Sequence, residues 1–418
     1  MQYQPHYAWL TNLCINLTDA CNLACKYCFV EQHPHYMTLD TAKEIVKWEA
    51  DNYKKKKEAG LMKRDHANLV FFGGEPMLCY DTVIVPLVEW IKETYPDVFD
   101  LSMTTNGTLL NEERIKWLSD HKFGLLLSID GAPETQNYNR PCRDGRNSYD
   151  LIAPNLPVLL HYYPNLTFRS TIYKDTVEHV FENYAYASAL GFRDIFITPN
   201  CREEWPEDKI AILNQQYEKV YDMFIAGMRG ELPLLHNSRI DDSFTEVLRH
   251  DLDVKSGFFT KKINNLRAVE RCGLGTGMGS VGYDGSIYGC QEQTSRDDKN
   301  IFLIGNIFTG GIDKARHLRL LEEYHYGGDV RCSDEGVCNN CPLMSQCDGK
   351  ACPSTTWDLS GDFNVYPKMY CIWLQIQFYQ ASRAMKILVS ENNQRFKEYL
   401  DNVCHFKDFF KKGETDHG

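Results

Sequence analysis

Apolar residues come in short, nearly continuous runs through the first half of the chain. Leu13–Leu17, Asn68–Phe72, Leu101–Thr105, Phe123–Ile129, Leu166–Tyr173 and Asp194–Thr198 are bounded by polar or turn-forming sequence. Runs of this length with little alternation suit parallel strands covered on both faces. Between them, apolar positions recur at helical spacing. One helix starts from a cap at Thr38 or Asp40 and runs through Trp48; others cover Asp81–Tyr95, Asn111–Ser119 and Thr176–Leu190. Six strand–helix units predict an α/β fold, a partial (β/α)6 barrel of the TIM type. Functional groups in such folds sit at the carboxyl ends of the strands.

The pattern changes beyond the sixth unit. A boundary falls near residues 228–240. From Cys272 onward Gly, Cys and Asp dominate, and the region reads as neither a helical bundle nor a regular sheet. Residues 370–400 return to a long helical pattern, and the last dozen residues read as frayed. The expected organisation is a barrel over 1–230, a linker or helical bridge over 231–270, a cysteine-rich extension over 271–375, and a C-terminal helix and tail over 376–418. No repeat or low-complexity tract interrupts it.

With 418 residues, 43% of them hydrophobic, the chain can build an ample core. A formal charge of −12 argues against a nucleic-acid backbone as partner. Lys54–Lys57 reads as the solvated end of a helix. Met1–Asn12 lacks the apolar run of a signal peptide, and no stretch approaches eighteen apolar residues, so the expected location is the cytoplasm, away from membranes.

The sixteen cysteines sharpen this picture. In a long chain without a secretion signal, clustered cysteines suggest metal sites rather than disulfides. Cys21, Cys25 and Cys28 stand in L-T-D-A-C-N-L-A-C-K-Y-C-F, directly after the first predicted strand. Three thiolates so spaced can hold three irons of a [4Fe–4S] cube and leave one iron open. A zinc knuckle or three unrelated core thiols are the alternatives, although zinc favours Cys-x2-Cys pairs closed by four ligands. Cys14, Cys79, Cys142, Cys201 and Cys404 stand apart and read as buried apolar residues. Phe71-Phe72-Gly73-Gly74-Glu75-Pro76 follows the second strand; its glycines allow close backbone approach to a ligand, and Glu75 or exposed carbonyls can accept from an ammonium group. Thr104-Thr105-Asn106-Gly107 ends the third strand and Ser128-Ile129-Asp130-Gly131 the fourth.

Together, the triplet with its aromatic Tyr27 and the Gly73–Pro76 segment one unit later resemble the radical S-adenosylmethionine (radical SAM) superfamily. The resemblance implies the same partial barrel, an open iron that chelates SAM, and SAM contacts from Tyr27, Gly73, Gly74, Glu75 and Pro76. Thr104, Asn106, Ser128 and Asp130 would lie near its ribose and carboxylate. The stretch N-Y-N-R-P-C-R-D-G-R-N-S-Y resembles a family pattern with Arg140, Gly145, Ser148 and Tyr149 in register, although Asn137 stands where the family usually has Asp. Arg140, or Arg169 on the fifth strand, could clamp a carboxylate.

The later cysteines resemble the SPASM extension of that superfamily, which binds two auxiliary [4Fe–4S] clusters, making three in all. Cys338, Cys341, Cys347 and Cys371 would hold the distal cluster, and Cys272, Cys290 and Cys352 the proximal one. Its fourth ligand would be Cys332, or an open iron that binds substrate. Four residues separate Cys347 from Cys352 where the family usually has three. Two structural zinc sites are the alternative.

SPASM enzymes mostly modify peptides or proteins, so the resemblance implies an oxidoreductase acting on a precursor peptide and fed by a flavodoxin- or ferredoxin-type donor. The reading preferred here is a maturase that forms an intramolecular thioether or carbon–carbon cross-link. About twenty residues precede Cys21, which argues against a separate leader-binding domain in front of it. Sulfatase-maturing members usually carry an Asp base directly after the cysteine matching Cys290. Here Gln291 follows, an amide that takes no proton at neutral pH, leaving Glu292 as a substitute. A peptide epimerase is a third reading, with Cys142 or Cys201 as the thiol hydrogen donor.

Overall fold

The six predicted strands form one parallel sheet in sequence order: β1 (Asn12–Asn16), β2 (Ala67–Phe72), β3 (Phe99–Thr105), β4 (Gly124–Ser128), β5 (Thr167–Ile172) and β6 (Asp194–Pro199). The computed structural model describes residues 12–61, 65–234, 237–256, 272–296, 300–326, 331–339, 341–343 and 351–403. Leu13, Ile15, Leu69, Phe71, Leu127, Phe168 and Ile195 are fully buried beneath the connecting helices. Burying one such side chain contributes about 1.5–3 kcal/mol. The first helix runs Leu39–Glu58, and Thr38 rather than Asp40 caps it, its hydroxyl accepting from the Thr41 amide at 3.1 Å.

Two expectations need correction. The lysine run is not simply a solvated helix end, because Lys56 is buried near an equally buried Glu49. Burial pushes the Glu49 carboxyl up to about 8 and the Lys56 ammonium down to about 8, and each charge partly offsets the shift of the other. The cysteine-rich region also contains regular sheet. β7 (Gly279–Val281) pairs in parallel with the free edge of β1, placing Leu13 opposite Gly279 and Ile15 opposite Val281. β8 (Ser286–Tyr288), β9 (Leu303–Asn306) and β10 (Gly311–Ile312) continue it antiparallel. Among the described residues the sheet thus has ten strands. These added strands are two to four residues long, too short for periodicity to mark them. The turn joining β7 to β8 relies on Gly285, whose φ of +82° suits glycine.

The expected bridge region carries a helix, Ser238–Ser256, that packs with Glu207–Arg229, Lys368–Ser390 and Gln394–Val403. The long pattern over 370–400 is thus two helices. Phe244, fully buried, meets Phe224 and Phe396, each with ring centroids 5.2 Å away. Trp373 Nε1 donates to the Tyr217 hydroxyl at 2.9 Å. Cys404 lies outside the described residues. No described helix is long and apolar enough to cross a membrane.

Phe244→Ala should destabilise the fold by about 3–5 kcal/mol through loss of the ring and the cavity left behind. A lowered urea midpoint checks this, and an unchanged midpoint would show that the helix is a peripheral bridge.

Candidate active site

The segment after β1 carries the cysteine triplet and is held on two sides by backbone hydrogen bonds. On one side the Gly74 amide donates to Thr18 O at 2.7 Å and the Glu75 amide to Ala20 O at 2.9 Å. A Cβ on Gly73 would stand 2.3 Å from Thr18 O, and one on Gly74 would stand 2.3 Å from Ala20 O. The glycines are therefore needed first for contact between these two segments. On the other side the Ala24 amide donates to Pro141 O at 2.9 Å, and the Lys26 amide to Asn139 O at 3.0 Å.

Glu75 is buried and largely occupied by its own chain. Oε1 accepts from Thr105 Oγ1 at 2.7 Å and the Met77 amide at 3.0 Å, and Oε2 from the Asn106 amide at 2.7 Å. Burial pushes its carboxyl up to about 7, and the three donors limit the rise. One acceptor direction remains on Oε2. Pro76 opens the short turn Pro76–Cys79 that Glu75 caps. Asn106 Nδ2 donates to Asn22 Oδ1 at 2.9 Å and lies 3.8 Å from Cys21 Sγ, so the third strand's end steadies the cysteine segment.

Asp130 plays a different part from the one expected. It is buried, does not line the cavity, and accepts from Tyr27 Oη, Asn139 Nδ2 (3.1 Å) and the Thr171 amide (3.0 Å). It also pairs with Arg140 at 3.0 Å. Burial works against the charge on Arg140, and Asp130, Tyr27 and Cys25 together more than offset it. Asp130 therefore positions Tyr27 and Arg140, and Arg140 is not an unpaired clamp. Arg169 has no carboxylate partner among the described residues. Nη1 donates to Ser170 O (2.7 Å) and Thr198 Oγ1 (3.1 Å), and burial followed by the Arg140 charge lowers the guanidinium to about 10.

All these elements open onto one cavity of roughly 640 Å³. Cys21, Cys25, Cys28, Tyr27, Gly73, Gly74 and Glu75 line one end, with Thr104, Asn106, Ser128, Arg140 and Arg169 along the barrel mouth. Cys201, Gln291, Glu292, Cys272 and Cys352 line it as well. Burial pushes the Cys21 thiol up to about 12 and Cys25 to about 11, so these are neutral thiols that a metal must deprotonate. Among the described residues no three Cys, His, Asp or Glu side chains already converge as a metal-ion site. Thiolates around a four-iron cube stand farther apart than the ligands of one ion. Three thiols on one segment facing the Gly73–Gly74 turn fit that larger group.

Cys142 is buried against Leu23 and does not line the cavity, whereas Cys201 does. Cys14 and Cys79 are buried as expected. Cys332 is placed differently from expectation. Its amide donates to Cys338 Sγ at 3.1 Å, and its thiol, hydrogen-bonded to Cys371, is lowered to about 7. The charge of Cys332 also bears on Cys341. It thus belongs with the distal set. Cys347 lies outside the described residues. Glu292 is half-buried. Arg202 Nη2 pairs with its Oε2 at 2.6 Å, and Arg202 also binds Asp358 and Ser354. Arg202 lies three residues beyond the end of β6 and was findable from the strand-end rule. Arg239, in the expected bridge, stacks on Phe196, as Arg169 does, and carried no local signal.

A parallel barrel with this cavity at its strand ends defines the class, and comparison with known proteins names it. Residues 15–201 match the Radical SAM superfamily and form a radical SAM domain. The serine-type anaerobic sulfatase-maturating enzyme of Klebsiella pneumoniae is 23% identical over 343 residues, covering 80% of this chain and 79% of the relative. The cysteine-type enzyme of Clostridium perfringens is 23% identical over 398 residues, covering 86% and 94%. In fold, the chain is similar to native anSMEcpe with bound AdoMet and the Cp18Cys peptide, with a TM-score of 0.65, 19% identity and coverage of 91% and 99%. It is also similar to Streptococcus suis SuiB bound to precursor peptide SuiA, with a TM-score of 0.53, 14% identity and coverage of 87% and 76%. The chain thus carries a radical SAM domain and is similar in sequence to sulfatase-maturating enzymes. The domain implies S-adenosylmethionine and a [4Fe–4S] cluster.

Gly74→Ala should weaken S-adenosylmethionine binding at least about tenfold, since the added methyl must part the two segments (a tenfold change is about 1.4 kcal/mol). Equilibrium dialysis of the anaerobically reconstituted protein checks it; affinity within twofold of the parent would refute the packing role.

Proposed function

We propose that the protein is a peptide maturase that forms an intramolecular thioether or carbon–carbon cross-link in a ribosomally made precursor peptide. With S-adenosylmethionine bound, the domain's chemistry supplies a 5′-deoxyadenosyl radical that removes a substrate hydrogen. The observation that carries the reading is the continuous cavity, whose lining runs from the cysteine triplet to Cys272 and Cys352. A cross-link removes two hydrogens net, so electrons must leave as well as a hydrogen atom. Thiols at the far end give an exit route if they hold auxiliary clusters.

In this reading Cys21, Cys25 and Cys28 hold the cluster that binds S-adenosylmethionine. Tyr27, the Gly73–Pro76 turn, Thr104, Asn106 and Ser128 shape its pocket, Arg169 offers a guanidinium for its carboxylate, and Asp130 fixes Tyr27 and Arg140. Two further clusters occupy the cysteine-rich part, and a flavodoxin- or ferredoxin-type donor supplies electrons.

Formylglycine formation is the second reading, favoured by similarity to the named sulfatase-maturating relatives. Against it stands Gln291, which cannot act as a base, while Glu292 is held by Arg202. An epimerase would use Cys201, the one of the two candidate thiols that lines the cavity.

Anaerobically purified protein should contain about twelve irons per chain. Replacing Cys21, Cys25 and Cys28 by Ala should abolish 5′-deoxyadenosine formation and remove only about four of them. Two zincs beside four irons would rule out the auxiliary clusters, and persistent 5′-deoxyadenosine in the triple variant would rule out the triplet.

The reaction class is read by mass spectrometry of a precursor peptide encoded nearby and co-expressed in D2O. A cross-link lowers the mass by about 2 Da without creating an aldehyde. Formylglycine from cysteine lowers it by about 18 Da and from serine by about 2 Da, and both products react with a hydrazide. Epimerisation leaves the bonding unchanged and carries one solvent deuterium at an α-carbon. A hydrazide-reactive or singly deuterated epimer product would overturn the cross-linking reading.

A further inference from the structure

The proximal thiol set lacks its expected fourth member. Cys332 is engaged with Cys338 and Cys371. Cys201, another cavity thiol, turns its Sγ toward Pro199 O at 3.5 Å. The additional anionic side chain beside Cys272, Cys290 and Cys352 is Glu292. Its Oε2 accepts from Cys352 Sγ at 3.5 Å. Cys290 stands two residues before Glu292, and Cys272 and Cys352 line the same cavity.

The carboxylate is also held through one oxygen. Arg202 holds Oε2 at 2.6 Å and is itself anchored to Asp358 and Ser354. Oε1 takes no hydrogen bond among the described residues, and Glu292 lines the cavity shared with Cys272 and Cys352. Metal-ligating carboxylates are commonly fixed in this way, one oxygen hydrogen-bonded to an outer partner while the other is presented to the metal.

We propose that Glu292 is the fourth ligand of the proximal auxiliary cluster, binding iron through Oε1 beside Cys272, Cys290 and Cys352. This rests on the auxiliary-cluster reading above. The site would combine three soft thiolates with one hard oxygen donor. The iron bearing the carboxylate would then be the one most readily exchanged for another ligand.

The test uses full-length protein in which Cys21, Cys25 and Cys28 are Ala, reconstituted anaerobically so that only auxiliary clusters contribute. This parent should hold about eight irons. E292A and E292C are then compared with it by iron and sulfide analysis, and by EPR before and after mild oxidation. E292A should lose about one iron per chain on oxidation and develop a three-iron signal. E292C should keep all the iron, with altered signals in the reduced state. A cysteine is too short and uncharged to replace the ion pair with Arg202, so rescue by E292C distinguishes ligation from a structural role. An E292A spectrum and iron content like the parent's would overturn the assignment, as would equal iron loss in E292A and E292C. A parent holding far fewer than eight irons would remove the auxiliary-cluster reading itself, and this assignment with it.

Discussion

The site depends on how the segment after β1 is held. That segment must present three thiols to one cavity, yet it forms no helix or long strand of its own. Its rigidity comes from backbone hydrogen bonds to the turn after β2 and to the residues around Asn139–Pro141. Because those bonds use main-chain atoms, they fix position while leaving the side chains for chemistry. The close approach at Gly73 and Gly74 makes this possible, since any larger residue would collide with the carbonyls of Thr18 or Ala20. Glu75 then joins the second strand's end to the third through Thr105 and Asn106. The binding end of the cavity is thus a chain of strand ends tied to one another.

A second tie links the barrel to the cysteine-rich part. Arg202 reaches from the end of β6 to Glu292 and Asp358, and Arg296 joins Asp358 to the carbonyl oxygen of Phe29, one residue beyond Cys28. These charges are only partly exposed, so solvent screens them less than surface pairs. The two ends of the cavity are connected through side chains as well as through the sheet.

Much of this was legible in the sequence because it rests on local patterns. The six strands appear as apolar runs, and the cysteine triplet and Gly73–Pro76 occupy strand ends, where parallel α/β folds gather chemistry. Partnerships between distant residues were not legible. Asp130 reads as a ligand-facing strand-end residue, yet contacts with Tyr27, Asn139, Arg140 and Thr171 consume it. Cys332 lies among several cysteines in sequence, and only the fold pairs it with Cys338 and Cys371 rather than with Cys290. Arg239 had no motif around it, and β7–β10 were too short to leave a periodic trace.

The pairing of β1 with β7 also bears on how the chain is made. β1 lies inside the finished sheet, but its second neighbour begins at Gly279. At ribosomal speeds of about 5–20 residues per second, that neighbour emerges roughly 13–50 s after β1. Until then an apolar strand carrying Leu13 and Ile15 presents an unpaired edge, the kind of surface that recruits strands from other chains. Newly made protein is therefore most vulnerable to aggregation during synthesis of its middle third. A chain cut just before Gly279 would keep that exposed edge permanently.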